Sequence, residues 1–141
     1  MTEGSDAGRL DERRQRVLDS ITEARGQKPS ATWDWLSGLD IEFMEVYAAF
    51  SNGLWSPTGP RVLEPKTREL VAIVVLSQRG FHWSIKTHLR RALRLGATPR
   101  EILEFLEAAV IPGGSPTLML GATLLKEVLE EDGLEGGGEP R

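Results

Sequence analysis

The chain has 141 residues, of which 40% are apolar, and this length and composition fit one domain with a packed core. A net charge of −4 gives it no electrostatic footprint for nucleic acid or for an anionic membrane surface. The absence of cysteine excludes disulfides, thiolate metal sites and any thiol redox cycle performed by this chain alone.

The two ends are predicted to be disordered, over residues 1–9 and 132–141, because small and polar residues dominate both. The N-terminus lacks the apolar core of a signal sequence. The longest apolar run, Leu70–Leu76, is far short of the ~20 residues that cross a bilayer. We therefore expect one domain over residues 10–131, a cytoplasmic location and no membrane partner.

Helical periodicity dominates the first half of that domain. The spacing predicts a helix over 10–24 and a second over 33–50, with a possible break near Gly38. In the second helix apolar residues recur every three or four positions: Leu36, Leu39, Phe43, Val46, Tyr47 and Phe50. The glycines and prolines of 51–64 then predict a loop.

Capping signals mark four further helices in the second half. Pro65 suits the first turn of a helix through Gln78, although the β-branched residues within it would also suit a strand. Gly80 separates it from a helix over 82–95, and Gly96 stands where a helix commonly ends. Capping residues Thr98–Glu101 and then Ser115 start the last two helices, the second reaching about Glu131. The fold class is thus all-α, with about six helices.

The stretch GFHWSIKTHLRRA, residues 80–92, holds both histidines of the chain. On a helix, His88 shares a face with Ser84 and Ala92 and points toward an apolar interior. It is either an acid/base group or an ordinary core histidine bonded to a backbone carbonyl. His82, at the start of the helix, is either part of a site or a neutral surface residue.

Glu69 is the second candidate, since its helix face also carries Ile73 and Leu76. It is either a first-turn glutamate stabilised by the helix dipole or a buried carboxylate held by a partner. If Glu69 reaches His88, it can orient the imidazole and raise its basicity. No metal is expected, because His82 and His88 point in different directions on one helix.

Three ordered motifs resemble the carboxymuconolactone decarboxylase family, which includes γ-carboxymuconolactone decarboxylase and the alkylhydroperoxidase D proteins. They are a helix beginning PKTRELV, the block HLRRALRLGATPREILE and the turn GGSP, within residues 63 to about 128. The resemblance implies an all-helical subunit with a two-helix antiparallel core. It also implies a homotrimer or homohexamer with active sites close to subunit interfaces.

The alkylhydroperoxidase D branch uses a glutamate, a C-x-x-C pair and a histidine. These positions fall on Glu69, on Phe81 and Ser84, and on His88. Neither phenylalanine nor serine can form a disulfide, so peroxidase turnover by that route is not expected.

The decarboxylase branch lacks the cysteine pair and is similar around LWS, TRELV and IKTHLR, residues 54–56, 67–71 and 85–90. Where decarboxylases usually have a tyrosine in Y-A-G-x-P, this chain has Pro112, so a different small acid is the expected substrate.

The resemblance and the residues together predict a decarboxylase or related acid/base lyase that needs no cofactor and acts on a small carboxylic acid or lactone. His88 would transfer the proton and Glu69 would orient it. Arg68 is the expected binder of the substrate carboxylate, ahead of Lys86 and Arg90, which face away. The other candidate pocket residues are Ser84, Phe81, His82, Trp83 and Trp55. The alternatives are a peroxidase-type oxidoreductase, which the missing cysteines disfavour, and a helical oligomer that binds a ligand without catalysis.

Overall fold

The computed structural model describes residues 3–56 and 60–134, and every regular element in these ranges is a helix. They divide into two compact units, residues 1–61 and residues 62–141. The all-α prediction is confirmed, but the described ranges hold eight helices rather than about six. The predicted tail falls mostly outside them, since residues 135–141 are not described.

The N-terminal unit contains α1 (Glu3–Arg25), α2 (Ala31–Leu39) and α3 (Ile41–Trp55). α1 begins well before the predicted start at residue 10. The predicted helix over 33–50 is two helices, because Asp40 leaves helical geometry and its side chain caps the N–H of Phe43 at the start of α3. The core consists of residues from α1 and α3: Val17, Ile21, Ile41, Met44 and Ala48.

The buried face of α3 is not the face that the apolar spacing indicates. Met44 and Ala48 pack in the core, whereas the periodic residues Phe43, Val46 and Phe50 are exposed. α3 is apolar on more than one side, and periodicity alone cannot say which side a neighbouring helix covers.

The C-terminal unit contains α4 (Pro65–Arg79), α5 (His82–Arg94), α6 (Pro99–Ala108), α7 (Val110–Gly113) and α8 (Ser115–Glu131). Its core draws on all the longer helices: Leu70, Ile73, Ile85, Leu89, Ala92, Ala97, Ile102, Leu106, Leu124, Leu125 and Val128. The β-branched residues of α4 are helical, because burial of Ile73 in this core outweighs a weak strand propensity.

The predicted caps fix the bounds of these helices. Thr98 and Glu101 form a reciprocal capping box at the start of α6. The Lys66 ammonium lies 2.8 Å from the other carboxylate oxygen of Glu101 and lowers the pKa of this glutamate. The same ion pair links the first turn of α4 to that of α6.

Candidate functional site

A helical hairpin of α4 and α5 positions the candidate site. Gly80 ends α4 in the left-handed region, with φ of 75°, and its N–H bonds to the carbonyls of Leu76 and Ser77. Only Gly80 and Phe81 lie between the two helices, so α5 runs back along α4. This turn brings the middle of α5 against the first turns of α4.

Glu69 and His88 meet across this hairpin. The Nδ1 atom of His88 lies 2.6 Å from the Oε2 atom of Glu69. The Glu69 side chain is only 1% exposed, whereas the His88 side chain retains 15% exposure. The sequence left open whether Glu69 reaches His88, and in the structure it does. The contact joins a buried carboxylate to an imidazole that is partly exposed.

A third charged group completes the cluster. Arg91 is buried, with 5% exposure, and its Nη2 atom lies 2.8 Å from the Oε1 atom of Glu69. The two oxygens of one carboxylate are thus held by two different residues of α5. An ionised carboxylate only accepts hydrogen bonds, so Nδ1 of His88 donates to it. The lone pair of the neutral ring is then on Nε2.

Sequence reasoning did not single out Arg91, although a signal for it was present. Arg91 lies three residues after His88, and residues three apart lie on the same side of a helix. A helical arginine is usually on the surface, so the apolar face next to Leu89 and Ala92 was the only indication of burial.

Lys86 and Arg90 lie on the side of α5 that faces the end of α8. Lys86 Nζ is 2.7 Å from both Glu127 and Glu131, and these two carboxylates raise the pKa of the lysine. Arg90 bonds to Asp132 and Glu131, with Asp132 the larger cause of its raised pKa. Both cations thus have acidic partners on or next to α8. The sequence analysis places them behind Arg68 as binders of a substrate carboxylate.

The remaining predicted pocket residues of the hairpin cluster at its turn and along α5. Phe81 precedes α5 and is exposed, with the Arg79 guanidinium 5.0 Å from its ring centre. His82 and Trp83 are also exposed, while Ser84, one turn before His88, is partly buried.

The two other predicted residues lie apart along the chain. Arg68 is partly buried in α4, next to Glu69. Trp55 is the last residue of α3 and belongs to the N-terminal unit. Their roles in a pocket stay predictions.

An open groove of about 370 Å³ lies elsewhere in the C-terminal unit, between α6 and α8. Leu103, Leu125 and Leu129 line it, with Lys126 and Glu130 among the polar lining residues. None of the three clustered residues Glu69, His88 and Arg91 lines this groove. Among the described helices, none is both long and apolar enough to span a membrane.

The model of the carboxymuconolactone decarboxylase family matches residues 42–127, which is more than half of the chain. The chain belongs to the carboxymuconolactone decarboxylase family. The family match includes Glu69, His88 and Arg91, and the resemblance seen in the sequence motifs is confirmed.

A solved structure shares the fold of this family member. It is the crystal structure of a protein from Burkholderia xenovorans LB400, which is described as a "putative carboxymuconolactone decarboxylase". The TM-score is 0.72 at 19% identity, over 88% of this chain and 96% of that one. Identity this low shows a common fold alone. No curated protein matches the chain.

Proposed function

We propose that the protein is a cofactor-independent decarboxylase or related acid/base lyase acting on a small carboxylic acid or lactone. The observation that carries this proposal is the 2.6 Å contact between buried Glu69 and partly exposed His88. An imidazole oriented by a carboxylate is the usual arrangement for an acid/base histidine. Membership of the family supports the same reaction class.

Decarboxylation requires an electron-accepting group in the substrate and a proton donor in the protein. When the C–C bond to the carboxyl group breaks, its electron pair moves into an adjacent carbonyl of the substrate, giving an enolate and CO₂. With an acid that enters protonated, Nε2 of His88 takes the carboxyl proton and returns it to carbon after CO₂ leaves. Glu69 balances the charge on the ring while it holds this proton.

Substrate binding requires a cation and an apolar pocket. Arg68 is the proposed partner of the substrate carboxylate, because it lies next to Glu69 and is partly buried. Phe81, His82, Trp83 and Ser84 are the proposed lining on the α5 side.

Release of CO₂ from carboxymuconolactone and from a panel of small β-keto acids tests the proposal. We expect wild-type protein, without added metal or cofactor, to decarboxylate at least one of them. His88→Ala should lower kcat by about 10²–10⁴-fold, the usual contribution of general acid/base catalysis. Arg90→Gln is the matched control on the same helix, since Arg90 bonds to Asp132 and Glu131. Full activity in His88→Ala would contradict the assignment.

Peroxidase chemistry is tested in parallel. The chain has no cysteine, so we expect no consumption of hydrogen peroxide or an alkyl hydroperoxide with dithiothreitol as the donor. Turnover there, without any CO₂ release, would favour the oxidoreductase alternative.

We further propose that the chain acts as a homo-oligomer in the cytoplasm. The exposed apolar residues of α3 support an assembly, because a contact between copies would remove their apolar surface from water.

A further inference from the structure

Arg91 is a buried cation that the proposed acid/base pair does not itself require. It lies on α5 one turn after His88, and both side chains bond to Glu69 of α4. The carboxylate is therefore shared, with Oε1 toward Arg91 and Oε2 toward His88. The contact of buried Glu69 with buried Arg91 and partly buried His88 makes their charges strongly interdependent.

The energetic cost of burying Glu69 explains what Arg91 does. At 1% exposure an ionised carboxylate has lost its water and needs compensation from the protein. With His88 as its main partner, a neutral arrangement exists once the pair takes up one proton from solvent, in which Glu69 is a carboxylic acid that donates its proton to Nδ1. The ring would then carry its own proton on Nε2, the nitrogen that the proposed mechanism needs as a base.

A permanently charged guanidinium removes that alternative. Arginine stays protonated in proteins and bonds more strongly to a carboxylate than to a carboxylic acid. We propose that Arg91 is a positioning residue that acts through Glu69. It keeps the carboxyl group ionised and so fixes the neutral His88 ring with its proton on Nδ1 and its lone pair on Nε2.

Among the described ion pairs, the Glu69 carboxylate is bonded to Arg91 and His88. On α4, Arg68 adjoins Glu69 and Lys66 is paired with Glu101 of α6. The other cations of α5 with described partners, Lys86 and Arg90, bond to acids near the end of α8. The buried residues of α8 are uncharged: Thr117, Gly121, Leu124, Leu125 and Val128.

The tautomer of His88 can be observed directly, independent of any substrate. The full chain has two histidines, so long-range ¹H–¹⁵N spectra of the ¹⁵N-labelled protein contain two imidazoles, which His82→Gln assigns. At a pH where the ring is neutral, we expect wild-type His88 to be the Nδ1–H tautomer. Arg91→Gln keeps a donor of similar shape but removes the charge. It should lower the ratio of Nδ1–H to Nε2–H by about tenfold, the difference expected between a charged and a neutral hydrogen bond.

Two further variants separate charge from shape. Arg91→Lys retains the charge and should restore the wild-type tautomer. Arg90→Gln removes an adjacent arginine that is ion-paired elsewhere and should leave the tautomer unchanged. An unaltered Nδ1–H signal in Arg91→Gln, or an Nε2–H signal in the wild type, would overturn the assignment. A loss of folding stability without a tautomer change would show that Arg91 is only structural.

The effect of the Arg91 variants on turnover rests on the proposed function and is measured separately from the tautomer of His88. With a substrate found in the CO₂ assay, Arg91→Gln should lower kcat about tenfold with little change in KM, and Arg91→Lys should recover most of the loss. A wild-type chain that turns over no substrate would contradict the proposed function alone, because the spectra still decide the role of Arg91.

Discussion

At the scale of single residues, Glu69 is the most deeply buried charged group among the described residues of the hairpin. Its burial between an arginine and a histidine means that neither oxygen is solvated by bulk water. Such a group contributes to function only while its partners stay in place, so its substitution affects stability as well as chemistry.

Glu69→Gln should destabilise the fold by about 3–5 kcal/mol, because it leaves the buried Arg91 guanidinium without its anion. Urea unfolding followed by circular dichroism measures this loss. The double variant Glu69→Leu/Arg91→Leu removes both charges and should recover much of the stability while remaining inactive. A double variant no more stable than Glu69→Gln would show that the ion pair is not the source of the loss.

Gly121 of α8 is a second sensitive position, for steric reasons. A Cβ atom there would lie 2.5 and 2.7 Å from the two methyl groups of Leu106 and 3.0 Å from the Ser77 hydroxyl. Gly121→Ala should therefore cost about 1–3 kcal/mol in urea unfolding through overpacking. Gly53→Ala in α3 is the control, since nothing lies within 4 Å of its added methyl. That change should be neutral or slightly stabilising, and equal losses at both sites would contradict the packing argument.

The pair of Glu69 and His88 could be predicted from the sequence, whereas Arg91 had only a weak signal there. Each of the pair shares a helix face with apolar residues, which is visible in the spacing. Whether Arg91 reaches Glu69 depends on the rotation of α5 about its axis after the Gly80 turn. Tertiary packing sets that rotation, and local sequence does not encode it.

At the scale of elements, ion pairs fasten α5 to the end of α8. Lys86 and Arg90 both bond to Glu131, and Lys86 is the larger of the two causes that lower the pKa of this glutamate. A carboxyl group with a lowered pKa in the folded state stabilises the protein above its unfolded pKa of about 4.3. That contribution disappears as pH falls through the lower folded value.

Glu131→Gln should accordingly lower the melting temperature slightly at pH 7, and the difference from wild type should shrink as the pH falls through the lowered folded pKa of Glu131. Thermal melts at several pH values measure it, and added salt should shrink the difference at pH 7. Glu130→Gln, on an adjacent exposed residue 3.7 Å from Lys126, is the control and should show a smaller difference. A difference that stays constant from pH 7 into the acid range would rule out this ion-pair origin.

Helix bounds were predictable wherever a local cap determines them. Pro65, Gly80, the Thr98 capping box and Ser115 each mark a bound that the structure confirms. The break that the sequence allowed near Gly38 falls two residues later, at Asp40, whose side chain caps α3. Short α7 was missed, since Pro112 and Gly113 are typical of a helix end.

At the scale of the whole molecule, the fold could be predicted from the sequence motifs, and the family match agrees with it. The contacts of individual side chains could be described only from the structure. Capping and turn residues specify backbone geometry, and the fold is shared with a structure at only 19% identity. The chemistry of a site depends on a few side chains, and the resemblance predicts that Pro112 replaces a tyrosine of the decarboxylases.

The resemblance predicts a solution mass of three or six times the 15.6 kDa of one chain, measurable by light scattering after size exclusion. Phe50, on the exposed apolar stripe of α3 with Phe43 and Val46, is the position to alter. Phe50→Glu should reduce the mass, because a charge would be buried in a contact between copies. A wild-type monomer would contradict the prediction.

The hairpin described above has one further consequence for how such proteins diversify. Acid, imidazole and guanidinium all come from the single contiguous stretch between Glu69 and Arg91, so they can be inherited or transplanted together as a cassette. Substitutions in the surrounding helices can then change the neighbouring surface while the three side chains keep their spacing. A designer seeking new substrates would randomise the scaffold around this cassette and leave the cassette itself untouched.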